Sequence, residues 1–397
     1  MVVSERIPLA PGILTWARLS SGYDVSLAAK RLTVSPERLQ AWEAGETNPT
    51  VIQLRQMAKL YKRPLAVLLL PTPPKDFDAL RDFRRTGEPG SHEWSPALHA
   101  EFKRALTQRE VMLELAELAP ASLSVSTKNF RIDRDVTAED ASQRLRALLG
   151  MEKWKGSTWS NPHTALRSAI EAIENLGILV LQTRDVSISE ARGFSISEWP
   201  YPVIILNGSD WPRPRLFTLL HELCHLALNS GGLCDLHEVR HRQAQQSVED
   251  RVEHYCNQVA AGVLMPRARI MAEPMFKGKA QWTLEDLAEI GKRYSASTEA
   301  LLLRLVNLNI TTWDTYWEFK PQLEAAYAEA RQREKDRQKS SDGGPTYYTI
   351  KARNLGHSYV QSVLDAFQSH AISSYDVVDY LDVKFGQIPK LQAAAQR

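Results

Sequence analysis

Residues His221-Glu222-Leu223-Cys224-His225 lie inside the apolar run from Leu216 to Leu228, and this combination restricts the chain more than any other stretch. Such a run reads as a buried helix, because Phe217, Leu219, Leu220, Leu223, Leu226, Ala227 and Leu228 surround the motif on nearly every side. One helical turn separates His221 from His225, so both imidazoles project from the same face and can grip one divalent metal ion. Glu222 falls on the adjacent flank, where it can take a proton from a water at the metal without being a ligand. Two histidines and a glutamate inside a core must be satisfied by something, and a metal ion does this well. The competing reading is a pair of hydrogen-bonded core histidines.

A chain of 397 residues exceeds one ordinary core and suggests two or three domains. With 43% hydrophobic and 24% charged residues it has the composition of a globular protein. Its longest uninterrupted apolar stretch, Leu65 to Leu70, is too short to span a bilayer, so no membrane partner is expected. No charged start leading into an apolar segment and a small-residue cleavage site is seen, and the expected location is cytoplasmic. The three cysteines, Cys224, Cys234 and Cys256, all lie near the motif. So low and odd a count suits a reducing compartment, and buried free thiols are preferred over zinc ligands. A net charge of +2 says little, but residues 1–75 carry ten Lys/Arg against five Asp/Glu.

Five short helices are expected over the first seventy residues. Leu14 to Leu19 leads, and Ser26 to Leu32 follows Asp24 as a cap. Ser35-Pro36-Glu37 opens a third helix with Pro at its first position, and Gly45 ends it. Thr50 to Tyr61 and Pro64 to Leu70 complete the set, and Pro71 to Pro74 marks the domain edge. The residues Leu27-Ala28-Ala29-Lys30-Arg31-Leu32-Thr33-Val34-Ser35, then Leu39, Trp42-Glu43-Ala44-Gly45 and Pro49, resemble the helix-turn-helix domain of the Xre family of DNA-binding repressors. That resemblance implies that the helix starting at Ser35 enters the major groove. Arg38 and Gln40 are then the candidates for base edges, and Lys30, Arg31 and Arg55 for phosphates.

The remainder divides by pattern into a helical, charged connector over 73–160, a domain over 161–320, a charged linker over 321–345 and a small helical module over 346–397. Within the larger domain, a helix from Thr164 to Asn175 precedes a β-rich segment at 177–182 and a second at 202–206. The whole is expected to be α+β and mainly helical. Zinc peptidases often hold substrate backbone along a strand beside the metal helix. Gly193-Phe194-Ser195 and the strand at 202–206, with Ile204 in it, are the candidates for that wall, with burial as plain core strands the alternative.

A catalytic zinc site needs a third protein ligand and an open position. The downstream candidates are Asp235, His237, Glu238, His241, Glu249, Asp250, Glu253 and His254. Val252, Cys256, Val259, Ala260 and Val263 form an apolar stripe, which makes 248–264 an amphipathic helix. Glu253 flanks that stripe, where a carboxylate is expensive unless it meets a cation, and Glu249 is the next choice. His254 and Tyr255 are candidates for stabilising an oxyanion.

The residues from Arg215 to Leu226, from Asn229 to Asp235, from Glu253 to Ala260 and Leu264-Met265-Pro266 resemble the ImmA/IrrE family of metallopeptidases. The likeness covers about residues 165–270, and an Xre-like N-terminal domain is a familiar companion. It implies a zincin-like fold, Zn²⁺ held by His221, His225 and Glu253, and Glu222 as general base. It also implies cleavage of a repressor or other partner protein, with a DNA operator bound through residues 1–72. The rival expectation is a non-proteolytic Xre-type repressor or antitoxin of a toxin-antitoxin pair, with a structural or vestigial zinc site and a cognate toxin as partner. A homodimer is a further expectation.

Overall fold

The computed structural model describes residues 6–74, 94–118, 130–154, 156–229, 248–276, 282–340 and 344–395. The chain divides into two compact units, Met1–Leu106 and Thr107–Arg397. The architecture is α+β and mainly helical, with one three-stranded sheet among the described residues.

The first unit holds α1 (Ile13–Leu19), α2 (Val25–Leu32), α3 (Pro36–Glu43), α4 (Val51–Leu60) and a 3₁₀ turn over Leu65–Leu69. Local chemistry sets these starts. Asp24 accepts from Leu27 N at 2.7 Å, Ser35 accepts from Arg38 N at 3.3 Å, and Thr50 and Gln53 form a reciprocal capping box. Leu14, Ala28, Leu39, Trp42, Leu54, Met57 and Leu68 close one small core. Beneath it Arg18 holds Glu43 through two hydrogen bonds of 2.7 and 2.9 Å, fixing α1 against α3. The helix α5 (Pro96–Leu118) begins in this unit and ends in the second.

In the second unit, α6 (Ala138–Leu148), α7 (Gly156–Ser160) and α8 (Pro162–Glu174) precede β1 (Leu179–Thr183), β2 (Gly193–Ile196) and β3 (Val203–Asn207). Then come α9 (Pro212–Ala227), α10 (Val248–Leu264), α11 (Arg267–Ala272), α12 (Leu284–Arg293), α13 (Thr298–Asn307) and α14 (Trp313–Ser340). Four helices finish the chain: α15 (Tyr347–Leu355), α16 (His357–Gln368), α17 (Ser374–Leu381) and α18 (Ile388–Ala395). Strand order is β1-β3-β2, with β1 parallel and β2 antiparallel to β3. A single core runs from Phe130 to Tyr316 and includes α6 through α9. Thus residues 130–160, read from sequence as connector, pack with the helix that carries the histidines.

The end of α10 is held from two sides. Arg146 Nη1 donates to Val263 O at 2.6 Å, Arg304 Nε donates to Met265 O at 3.1 Å, and Arg304 also pairs with Glu139 at 2.8 Å. Two cations on exposed helix-end carbonyls complement the negative end of the helix dipole. The C-terminal helices pack in this same unit, with α15 and α16 against β1. Gly356 has φ +87°, and a Cβ there would come within 2.9 Å of Val180 O, so glycine permits both the turn and the approach. Glu174 on α8 accepts from Ser358 N at 3.2 Å and Ser358 Oγ at 3.0 Å, supplying the cap that Gly356 cannot. Among the described residues, no helix is long and apolar enough to cross a membrane.

Candidate metal centre

The helix α9 is buried along almost its whole length, with Leu219, Leu220, Leu223 and Leu226 in the core. Its partner α10 turns Cys256, Val259, Ala260 and Val263 inward, all fully buried. Packing of these two stripes brings Glu253 opposite the histidines. His221 Nε2 lies 3.1 Å from His225 Nε2, Glu253 Oε2 lies 3.2 Å from His221 Nε2, and Glu253 Oε1 lies 3.3 Å from His225 Nε2. Ligands at ordinary zinc–nitrogen and zinc–oxygen distances on a tetrahedron stand about 3.3 Å apart, so the triangle has the size of one zinc site. His221, His225 and Glu253 are the only group of three or more metal-ligating side chains gathered this closely among the described residues.

Exposure is uneven in a useful way. His221 is 0% and His225 3% exposed, whereas the Glu253 side chain is 34% exposed. The centre therefore opens to solvent on the Glu253 side. Burial opposes charging of His225, yet Glu253 and Glu222 hold its pKa up at about 8. Burial likewise opposes ionisation of Glu253, but hydrogen bonds from His221 and His225 hold its carboxyl well below the usual range. Burial pushes Glu222 up, against the pull of the two imidazoles and the Ser195 hydroxyl.

Four buried polar atoms at this place have no hydrogen-bond partner: His221 Nδ1, both oxygens of Glu222 and Ser195 Oγ. The Glu222 and Ser195 oxygens, together with two imidazole nitrogens and one carboxylate, fit a divalent cation with a water beside it. Among the described residues, two imidazoles and one carboxylate are the ligand set, one fewer than a closed structural zinc site takes.

The strand β2 runs along α9 at the edge of the sheet. At Gly193, a Cβ would lie 2.6 Å from Thr218 Cγ2, 2.9 Å from Ile205 O and 3.6 Å from Glu222 Oε1. Only glycine lets this strand reach the site so closely. Ser195, one of the wall candidates, shares the face of Gly193 and approaches Glu222, a neighbour that the sequence did not indicate. Two wall candidates need correction. Ile204 is fully buried in β3, the middle strand, whose two edges are taken by β1 and β2, so it offers no edge to a peptide. Phe194 is 2% exposed and points to the other face, beside Ile205, Val186 and Ala191.

Other expected residues are also placed. Tyr255 Oη donates to Val136 O at 2.9 Å and His254 pairs with Gln258 at 2.9 Å. Cys224 and Cys256 are buried free thiols. Cys234, Asp235, His237, Glu238 and His241 lie outside the described residues, as does the side chain of Glu249.

In the first unit, Lys30, Arg31, Arg38, Gln40 and Arg55 are all exposed. Arg38 stacks its guanidinium 5.4 Å from the Trp42 ring centroid, which restrains it on α3. Glu37, at the start of α3, is held below the ordinary carboxylate range by its own backbone N–H and the Ser35 hydroxyl. It adds a negative charge to the first turn of α3, which Ser35 caps.

Residues 173–306 match the family model described as the IrrE N-terminal-like domain, a peptidase family, and residues 14–68 match the helix-turn-helix family model. No curated protein matches the chain. The match over 173–306 contains His221, Glu222, His225 and Glu253, and the match over 14–68 contains α1 to α4. Two segments of the chain, 14–68 and 173–306, are thus similar to a helix-turn-helix domain and to the IrrE N-terminal-like domain of a peptidase family.

Proposed function

We propose that this protein is a cytoplasmic regulator in which a zinc-dependent endopeptidase is fused to a sequence-specific DNA-binding domain. The single observation that carries the reading is the triangle of His221, His225 and Glu253 with the buried, unpartnered Glu222 beside it. Bound zinc would supply Lewis acidity toward a peptide carbonyl and make a neighbouring water more acidic. His221 and His225 would hold the ion through their imidazole nitrogens, and Glu253 would balance one of its charges from the solvent-facing side. Glu222 takes the proton of the attacking water at a carboxylate oxygen and returns it to the leaving amine, a transfer worth about 10²–10⁴ in rate. Ser195 favours the ionised form that a base requires. The backbone of β2 from Gly193, at a sheet edge next to Glu222, is the surface along which an extended substrate segment aligns.

The substrate is a repressor or another protein partner, and the first unit directs the molecule to an operator. Arg38 and Gln40 reach base edges, while Lys30, Arg31 and Arg55 engage phosphates. Glu222→Gln separates this reading from that of a non-cleaving repressor or antitoxin. The variant should keep its zinc and lose cleavage of the protein encoded beside it or of its own repressor target. Equal cleavage by the variant and the wild type contradicts the assignment.

A further inference from the structure

Away from the metal centre, the N-terminal end of α9 gathers positive charge that the fold leaves unneutralised. Arg215, in the second turn of α9, is 6% exposed. Its Nη1 donates to Gln182 Oε1 at 2.8 Å, and its Nε has no partner. Arg184 follows directly on β1 and packs against the β3–α9 turn: a Cβ on Gly208 would lie 3.3 Å from Arg184 Cγ and 3.5 Å from Gln182 Oε1. Arg353, half-buried on α15, comes from a helix that packs on β1, and its charge is felt by Arg215.

These guanidinium groups repel one another. Burial, then Arg353, bring Arg215 down to about 10; Asp210 pulls the other way, and Arg184 adds a weaker push downward. Burial and Arg184 lower Arg353 as well. Asp210, the nearest acid, is already committed to Arg192 at 3.0 Å and to Trp211 N at 2.9 Å. Among the described residues, no carboxylate pairs with Arg184, Arg215 or Arg353. A cation kept out of water without a counter-charge is expensive, and a fold retains such a group where an anion arrives to meet it.

The surroundings narrow the kind of anion. Arg215 sits close to the positive end of the 16-residue helix α9, which favours an oxyanion. Pro212 and Pro214 remove backbone donors from the first turn, so recognition falls to guanidinium forks, whose spacing suits phosphate oxygens. With Arg215 almost wholly buried and Arg184 exposed beside it, the surroundings suit a compact terminal phosphate better than an extended nucleic-acid backbone. We propose that Arg184, Arg215 and Arg353, with Gln182, form a second ligand site that binds a phosphate group, free or carried by a small ester. Such a ligand ties α15 of the C-terminal helices to the same helix that bears His221 and His225. It is therefore placed to influence the metal centre without touching it.

Isothermal titration of the full chain with inorganic phosphate, and separately with adenosine monophosphate, tests this at constant ionic strength. Saturable one-to-one binding of either is expected, and the tighter of the two identifies the source of the phosphate. Arg184→Ala and Arg353→Ala remove only the exposed and half-buried members, so they avoid disturbing the core. Each should weaken binding about tenfold while leaving ligand-free melting temperature and zinc content unchanged. Absence of saturable binding of both ligands to the wild type, or binding by both variants as tight as wild type, overturns the proposal. Neither readout depends on proteolysis.

Discussion

His221, Glu222 and His225 are at most 3% exposed, while Lys30, Arg31, Arg38, Gln40 and Arg55 all stand in solvent. Polar groups in the first set are forced to account for themselves: they are withdrawn from bulk water, and each must find a proton, a partner or an ion. Surface side chains in the second set carry no such obligation. An exposed arginine is compatible with DNA contact and equally with plain solvation, so its role rests on the helix that presents it. The contrast teaches where a functional reading can be built from packing alone and where it needs a ligand.

Both regions also contain a buried charge that fixes helices, and the largest expected effect concerns it. Glu43→Ala leaves Arg18 buried and unpaired, at a cost of about 3–5 kcal/mol to the small first unit. Hydrogen exchange across α1 to α4 should accelerate to the point of lost protection, with exchange in α9 unchanged. Retained protection in α1 to α4 means that the pair is dispensable. At the metal centre, chelation should cost a similar amount, about 4 kcal/mol if free zinc stood near a thousandfold above its dissociation constant. Calorimetry should show the second unit melting at lower temperature after chelation, and Glu253→Ala should be insensitive to it. Identical melting with and without chelator would mean that no ion contributes.

Smaller effects sharpen the comparison. Gly193→Ala drives a methyl group into Thr218 and the Ile205 carbonyl, so it should cost about 1–3 kcal/mol and displace Glu222. Thr218→Ser in the same chain should restore part of the stability, and no restoration would place the strain elsewhere. On the DNA side, Arg38→Ala should weaken specific binding by about 1–3 kcal/mol, whereas Arg55→Ala should weaken all sequences alike and reduce the salt slope by about one. Equal loss on specific and random duplexes for Arg38→Ala removes it from base reading.

The smallest expected effect is a dependence on pH. Burial raises Glu174 to about 7, against hydrogen bonds from Ser358 and the His357 backbone. A carboxyl with a folded pKa above its unfolded value binds more protons in the folded state, so stability falls as pH rises from about 4.5 to about 7. Glu174→Gln should therefore gain on the order of 1 kcal/mol over wild type at pH 8, and the advantage should vanish below about pH 4.5. A difference independent of pH would show that Glu174 is not the titrating group.

Much of the metal centre was legible because its signals are local. The apolar run around His221 and His225 required a buried helix, and the stripe from Val252 to Val263 put Glu253 at a core margin. Helix starts at Asp24, Ser35 and Thr50 were likewise written in their capping residues. What escaped depends on partners far along the chain. Strand order decides that Ile204 lies in the middle of the sheet and that Ser195 faces Glu222, and no periodicity reports strand order. The short helices α7 and α11 have too few turns to show a face. Glu174 with Ser358, and Arg215 with Arg184 and Arg353, join residues separated by more than a hundred positions or by an intervening strand. Only the packed molecule brings them together.

The claim beneath the account is that one divalent cation sits between α9 and α10. Diffraction from crystals of the zinc-loaded protein, recorded on both sides of the zinc absorption edge, tests it directly. One anomalous peak is predicted about 2.0–2.2 Å from His221 Nε2, His225 Nε2 and a Glu253 carboxylate oxygen, with a water or substrate atom at the fourth position. A peak absent from that place, or one whose fourth position is closed by a protein side chain, contradicts the account.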